Sequence, residues 1–325
     1  MQAVFVTDFG GPEVLKLMEA AMPTPGPGEV LIKVAASTVN FADIDRRRNA
    51  ARAQTKPPFV PGLEAAGTIE AIGPGVSGLA VGQRVTAHTD GGSYTEYALA
   101  RAIGVFPISD ALDWSTAACV PSVGTTSLNL LTYAGRLQPG ETVLIHAAAG
   151  GVGTTAVQLA RHLGASKIIG TVGSEEKASL IKSLGADVAI NYREEDVPAR
   201  VREITDGKGV NLVLDSVGKD TFLGSIASLG THGRLVCYGQ ASGPPPAIEF
   251  GSIYGENKTI VGYSTGGFRR TRPEALRAPG LAALELLNAG RWKPVIGASY
   301  SLDAAAEAQT HVESRASTGK VILLT

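Results

Sequence analysis

The pattern of hydrophobic and polar positions changes rhythm twice along the chain. In the first third, short apolar runs at 30–34, 65–69 and 84–87 alternate with turn chemistry such as Pro23-Thr24-Pro25-Gly26-Pro27-Gly28 and Gly73-Pro74-Gly75, a pattern that predicts a barrel-like or mixed β domain. The middle opens on an apolar strand, 142–146, followed by a glycine turn and a helical pattern over 152–163. Strand 167–172, a helix over 175–184 stopped by Gly185, strand 188–190, helix 197–205, strand 212–215, helix 221–229 and strand 234–238 follow. Such alternation predicts a parallel sheet with right-handed crossovers, and near-continuous apolar runs suit strands covered on both faces. The tail reads as a loop over 264–272, then a helix over 275–289 that Pro279-Gly280 breaks or restarts and Gly290 ends. A helix over 301–313, with Ser301 as N-cap followed by Asp303, and a last strand, 320–324, complete it. The expected fold is α/β: a β-rich domain built from both chain ends, 1–120 and 260–325, with a doubly wound parallel-sheet domain, 121–259, inserted.

Composition supports that reading. A chain of 325 residues suits about two domains, and 44% hydrophobic with 18% charged residues supports a packed core and excludes disorder. A net charge of -1 and the lack of a basic block argue against nucleic acid or an anionic membrane as partner. Two cysteines, Cys119 and Cys237, exclude a disulfide framework and a four-cysteine zinc site. Residues 1–6 read as a strand rather than a signal peptide, and no apolar stretch is long enough to span a bilayer. The expectation is a soluble, cytoplasmic chain.

The most specific segment is Val143-Leu144-Ile145-His146-Ala147-Ala148-Ala149-Gly150-Gly151-Val152-Gly153. It fits the dinucleotide fingerprint, with Ala148 in the slot that makes the tight turn, Gly150 where the backbone approaches a pyrophosphate, and Gly153 where helix and strand pack closely. Gly151 and Val152 begin the helix, whose N-terminus offers N–H groups and partial positive charge to phosphates. The second strand ends at Val172-Gly173-Ser174 with no acid at its tip to hold a ribose 2′-hydroxyl. Gly173 and Ser174 leave room and a hydroxyl for a 2′-phosphate, and Lys177 lies one turn on; Glu175 and Glu176 read as first-turn helix acids. The pattern favours NADPH over NADH.

Several blocks then line up with one family. Val39-Asn40-Phe41-Ala42-Asp43, Pro61-Gly62-Leu63-Glu64-Ala65-Ala66-Gly67, Gly92-Ser93-Tyr94-Thr95-Glu96-Tyr97-Ala98, the glycine turn through Gln158-Leu159-Ala160, Ile190-Asn191-Tyr192-Arg193, Asp215-Ser216-Val217-Gly218 and Glu313-Ser314-Arg315-Ala316 occur in order. Over nearly its whole length the chain resembles the zinc-independent quinone oxidoreductases (zeta-crystallin-like) of the medium-chain dehydrogenase/reductase superfamily. The resemblance implies a GroES-like catalytic domain with an inserted Rossmann domain, a homodimer, and NADPH-dependent reduction of quinones or activated enones. It places 2′-phosphate contacts on Ser174, Lys177, Tyr192 and Arg315. Asn40 and Asp43 match polar positions of the nicotinamide cleft, Thr126 a cleft-side threonine, and Ser216, Tyr238, Gly239 and Ser264 loops bordering the cofactor. Asp45 stands where some relatives carry a tyrosine.

No metal is expected. The first zinc-ligand position of the superfamily's zinc enzymes falls on Asn40, and their Gly-His-Glu motif reads Gly62-Leu63-Glu64. His88, His146, His162, His232 and His311 show no ligand spacing and read as surface or hydrogen-bonded histidines; Glu64 reads as structural. Asn40 and Asp43 are the candidate catalytic residues, as hydrogen-bond donor and proton relay, with a cap role as the alternative for both. Tyr254 and Tyr263 are weaker candidates. The rival readings are an enoyl-thioester reductase, for which Arg46-Arg47-Arg48 with Arg52 would form a basic entrance, a zinc-independent alcohol dehydrogenase, and an NADPH-binding sensor or RNA-binding moonlighting protein.

Overall fold

The structure, a computed structural model, describes residues 1–48 and 56–325. The chain forms two compact units: one takes residues 1–124, 269–284 and 294–325, the other 125–268 and 285–293. In chain order the elements are β1 (Gln2–Val6), β2 (Leu15–Glu19), β3 (Glu29–Val39), α1 (Phe41–Arg48), β4 (Glu64–Ile72), β5 (Arg84–His88), β6 (Tyr97–Arg101), β7 (Val105–Pro107) and α2 (Trp114–Ala118). The second unit opens with α3 (Thr125–Asn129) and continues through β8 (Thr142–Ile145), α4 (Gly151–His162), β9 (Lys167–Val172), α5 (Glu175–Ser183), β10 (Val188–Asn191), α6 (Val197–Ile204), β11 (Val210–Asp215), α7 (Phe222–Ser228), β12 (Leu229–Cys237), α8 (Gly251–Tyr254) and β13 (Thr259–Gly262). Then come α9 (Thr265–Thr271), α10 (Arg277–Asn288), β14 (Ile296–Ser301), α11 (Ala305–Glu313) and β15 (Lys320–Leu324). Among the described residues no helix is long and apolar enough to cross a membrane.

In the β-rich unit, β3 is the hub. It pairs antiparallel with β4, β6 and β15, and the seven-stranded sheet runs β14-β15-β3-β4-β5-β7 with β6 joined to β3. Register decides what gathers at one sheet end: Val39 of β3 faces Val321 of β15, Ser37 faces Ala65 of β4, and Glu64 faces His88 of β5. Asn40, Glu64 and Lys320, distant in sequence, are therefore neighbours.

The second unit is a six-stranded parallel sheet in the order β10-β9-β8-β11-β12-β13. The order reverses between β8 and β11, the switch point at whose C-terminal side such sheets bind ligands. Leu144, Ile169, Val213 and Leu235, from four adjacent strands, are fully buried in one cluster with Val201 of α6 and Ile226 of α7. Two caps are built as the residues suggest: Ser174 accepts from Lys177 N at the start of α5, and Asp196 accepts from Ala199 N at the start of α6.

Several expectations in the tail need correction. Pro279 neither breaks nor restarts the helix, because α10 begins at Arg277 and Pro279 lies in its first turn, where a missing N–H costs nothing. Gly280 is needed at that crossing for space, since a Cβ there would lie 2.6 Å from Phe106 Cε1. Ser301 ends strand β14 and caps only a short 3₁₀ turn without a side-chain bond, so α11 starts at Ala305. Residues 265–271 are helix α9 rather than loop. β13 was not expected: it straddles the expected domain boundary at 259/260 and is the sixth strand of the parallel sheet.

Candidate active site

The glycine turn joins β8 to α4. Gly150 is the N-cap of α4 and no side chain caps that terminus, which leaves the first-turn amides directed at whatever sits there. Gly153 has no room for a side chain, because a Cβ would lie 2.6 Å from Ala148 Cα and 2.7 Å from its carbonyl carbon. The turn itself differs from the assigned slots. Ala147, not Ala148, takes the left-handed conformation, with φ 50. Ala148 points its methyl at Gly170 of β9, where an added Cβ would be 2.7 Å from Ala148 Cβ. Ala147→Gly removes the left-handed strain of a residue with a Cβ, and we expect it to stabilise the protein by about 1 kcal/mol, read as a raised midpoint of urea unfolding; a lowered midpoint would contradict the strain.

At the tip of β9, Gly173, Ser174, Lys177 and Tyr192 come together, with a residue that sequence reasoning left unassigned. A Cβ on Gly173 would meet Tyr192 Oη at 2.6 Å and Arg193 Nε at 3.3 Å. Burial, and after it the positive charge of Arg193, holds the Lys177 ammonium below the usual lysine range. Two cations thus converge where a carboxylate would be needed for NADH. The signal for Arg193 was its place beside Tyr192 at the end of β10. Arg315 is carried by the other unit, just after α11, with φ 59.

The loops after β11 and β12 meet closely. A Cβ on Gly239 would lie 2.7 Å from Ser216 O, and Tyr238 N donates to Asp215 O at 2.9 Å. Burial pushes the Tyr238 phenol up to about 12 against its hydrogen bond with Ser216. Thr126 Oγ1 lies 2.7 Å from Thr265 Oγ1, and Ser264 Oγ accepts from Gly267 N. Tyr263 is buried with its hydroxyl accepting from Asn129 Nδ2 at 2.9 Å, whereas Tyr254 stacks on Phe250 at the surface.

In the β-rich unit, Asn40 and Asp43 prove to be firmly bound. Asp43 Oδ2 accepts from Asn40 N at 3.0 Å, reaching back from the third helical position of α1 as in a capping box, and Oδ1 accepts from Gly62 N at 3.0 Å. Burial pushes its carboxyl up against the pull of those two amides. Asn40 Nδ2 donates to Glu64 Oε1 at 3.1 Å and Thr38 Oγ1 at 3.3 Å, while its Oδ1 accepts from Lys320 Nζ at 2.8 Å. Glu64 also takes Thr38 Oγ1, Lys320 Nζ at 3.1 Å and, on its other oxygen, Ser122 N at 2.7 Å. Burial would raise the Glu64 carboxyl, but Lys320 and these donors hold it below the usual range. Lys320, read beforehand only as the start of a strand, is the charge at the centre of this cluster.

The arginine run is not a cationic face. Arg47 is buried against Glu313, Arg48 pairs with the same carboxylate at 2.8 Å, and Arg46 lies over the Phe59 ring at 5.3 Å; Arg52 falls outside the described residues. His88 departs from expectation, being buried with neither ring nitrogen hydrogen-bonded. Among the described residues no three His, Cys, Asp or Glu side chains are grouped as metal ligands.

Family models match two stretches, "Alcohol dehydrogenase GroES-like domain" over residues 26–110 and "Zinc-binding dehydrogenase" over 151–278. A quinone oxidoreductase of Pseudomonas aeruginosa is 38% identical over 317 residues, 97% of each chain. The chain belongs to the quinone oxidoreductase family of the medium-chain dehydrogenase/reductase superfamily. Within the reach of that family, a 2-haloacrylate reductase of a Burkholderia species is 35% identical, covering 100% of this chain and 99% of that one. The crystal structure of Escherichia coli quinone oxidoreductase complexed with NADPH superposes with a TM-score of 0.94 at 33% identity, covering both chains fully. The GroES-like and Rossmann architecture expected of the family is the one observed, with β3–β7 inside the first match and α4–α9 inside the second.

Proposed function

We propose that this chain reduces quinones or activated α,β-unsaturated carbonyls with NADPH, without a metal, as a homodimer. The observation that carries the cofactor choice is the pair of cations, Lys177 and Arg193, at a strand tip, Gly173-Ser174, that lacks an acid. A 2′-phosphate there would accept charge-assisted hydrogen bonds from both. The closed approach of Gly153 to Ala148 and the uncapped start of α4 fit the pyrophosphate. NADPH supplies the hydride to the acceptor when bound. Within the β-rich unit, Glu64, Thr38 and Lys320 immobilise Asn40, and Asp43 anchors the start of α1. Both residues therefore act as positioning groups in this reading rather than as proton donors.

The metal-free reading rests on donor chemistry. At the position of the first zinc ligand, Asn40 offers an oxygen already bound by an ammonium, and Lys320 would repel a dication. Cys119 is fully buried with its thiol directed to Ser115 O, and burial pushes that thiol far above its ordinary range. A conjugated acceptor spreads incoming charge onto oxygen and needs less electrophilic help than an isolated ketone. The names of the relatives agree, since a 2-haloacrylate is itself a conjugated alkene carboxylate. For the dimer, the open edge strand β13 follows an exposed stacked pair, Phe250 and Tyr254, 71% and 63% accessible.

Oxidation of NADPH and NADH at 340 nm with 1,2- and 1,4-quinones, alkyl enones and a crotonyl thioester tests the proposal. Turnover is expected with quinones or enones and NADPH. Tight NADPH binding without turnover of any acceptor would sink the enzyme reading. Lys177→Ala and Arg193→Ala should each raise KM for NADPH roughly 10- to 100-fold, as loss of a charge-assisted hydrogen bond implies, and leave NADH unaffected. An unchanged preference would remove the cation pair from the site.

A further inference from the structure

Beneath the glycine turn, four buried polar side chains form a hydrogen-bonded line that the binding of cofactor does not itself require. His146, the residue on which the turn begins, has Nδ1 3.1 Å from Thr171 Oγ1 and Nε2 3.0 Å from Ser225 Oγ. Ser225 Oγ donates to Asp215 Oδ2 at 2.8 Å. None of the four is more than 3% accessible.

Proton counting gives the line a direction. Ser225 has one hydroxyl proton, and it goes to a carboxylate that only accepts. The imidazole must then donate from Nε2, which leaves Nδ1 to accept from Thr171. Burial keeps the ring neutral, holding it below the ordinary histidine range against the pull of Asp215.

The ends of the line matter. Thr171 is the penultimate residue of β9, two before Gly173 at the tip where the phosphate-binding cations gather. Asp215 ends β11, and its Oδ1 accepts from Val217 N at 2.8 Å, Gly218 N at 3.2 Å and Thr221 Oγ1 at 2.8 Å. It thereby shapes the loop that carries Ser216, against which Gly239 packs. The line thus runs from one wall of the cradle at the sheet's switch point to the other.

We propose that His146 is a positioning residue whose Nε2–H tautomer fixes the spacing between the β9 tip and the Ser216–Gly218 loop, so that both ends of NADPH meet a preset cradle. The inference rests on the cofactor reading above. Without Ser225 the Nε2–H donor is orphaned, and the ring turns its proton to Nδ1, toward Thr171, releasing Asp215 from one of its partners.

Two measurements on the full-length protein test it. Nitrogen-15 NMR of the imidazole should report the Nε2–H tautomer in the wild type and the Nδ1–H tautomer in Ser225→Ala. Fluorescence titration should show the NADPH Kd raised about tenfold in Ser225→Ala, as expected for a buried polar group left unpaired. At saturating NADPH its kcat should stay within about twofold, the small change expected when binding of ground and transition state is lost equally. His146→Gln, whose amide can still reach Ser225, should stay within about threefold of wild-type Kd, a loss below that of the unpaired group. A residue that served packing alone would lower the melting temperature and leave the Kd of the folded protein unchanged. An Nδ1–H tautomer in the wild type, or an unaltered Kd in Ser225→Ala with wild-type binding intact, overturns the inference alone. A wild-type chain that does not bind NADPH overturns the cofactor reading and this inference together.

Discussion

Glu64→Gln destabilises the β-rich unit by about 3–5 kcal/mol, the cost of leaving one charge of a buried pair without its partner. Lys320 and Glu64 have side chains only 4% and 0% accessible, and the ammonium's remaining acceptors, Val39 O and Asn40 Oδ1, carry no net charge. A glutamine also turns an N–H₂ toward Ser122 N, Asn40 Nδ2 or Thr38 Oγ1, so at least one donor faces a donor. Urea unfolding is the measurement. Lys320→Met added to Glu64→Gln should cost less than the sum of the two single changes, because it removes the stranded charge. A Glu64→Gln protein within about 1 kcal/mol of wild type would mean that the pair contributes little more than a surface salt bridge. Where the new N–H₂ takes the place of Oε1, Asn40 loses the acceptor that orients it, and the kcat of the Glu64→Gln protein should fall as well.

Mild acid has the second large effect. Burial, with Arg269 adding to it, drives the His88 imidazole from 6.5 down to about 3. The unfolded chain takes up that proton near pH 6.5 and the folded chain only near 3, so stability is fully present above pH 6.5 and is lost as the pH falls through this window. The slope is about 1.4 kcal/mol per pH unit for one such histidine, or roughly 2 kcal/mol between pH 6.5 and 5. His146, lowered by the same cause, adds to it in the same sense. Glu64, held below the usual range, loses its contribution only in stronger acid. His88→Leu removes the titration and two unsatisfied nitrogens together. Its unfolding midpoint should therefore fall less than that of wild type between pH 7 and pH 5. Equal losses in the two proteins would refute the assignment of this slope to His88.

What could be read in the sequence was local or periodic. The first five strands of the parallel-sheet unit were legible because strands covered on both faces are apolar throughout, and α5 and α6 after them carry their own N-caps. β9 and β15 fall on the predicted residues. The tail was misread for an equally local reason. Pro279 and Ser301 are strong signals whose meaning depends on a boundary two and four residues away, at Arg277 and Ala305. The site was half legible. The glycine turn and the β9 tip are short motifs. Lys320 and Asn40, by contrast, lie 280 positions apart, and Arg47 and Glu313 lie 266 apart. Their meeting is set by the pairing of β15 with β3 and by the packing of α11 against α1, neither of which periodicity can supply. His146 was read as a surface or hydrogen-bonded histidine, and a single position could not show that its two bonds reach Thr171 and Ser225, 25 and 79 residues away.

The turn that begins α4 also has a bearing on how such motifs are recognised. A pattern search that demands glycine at each turn position scores Ala148 as a defect. In three dimensions nothing is missing, because the space for its methyl is vacated by Gly170 on the neighbouring strand. The two positions hold one side-chain carbon between them, and moving it to position 170 would also need room from Ile181 of α5, whose Cδ1 would lie 2.4 Å away. The unit on which selection acts here is therefore the sum across the turn, β9 and α5 rather than the letter at any one site.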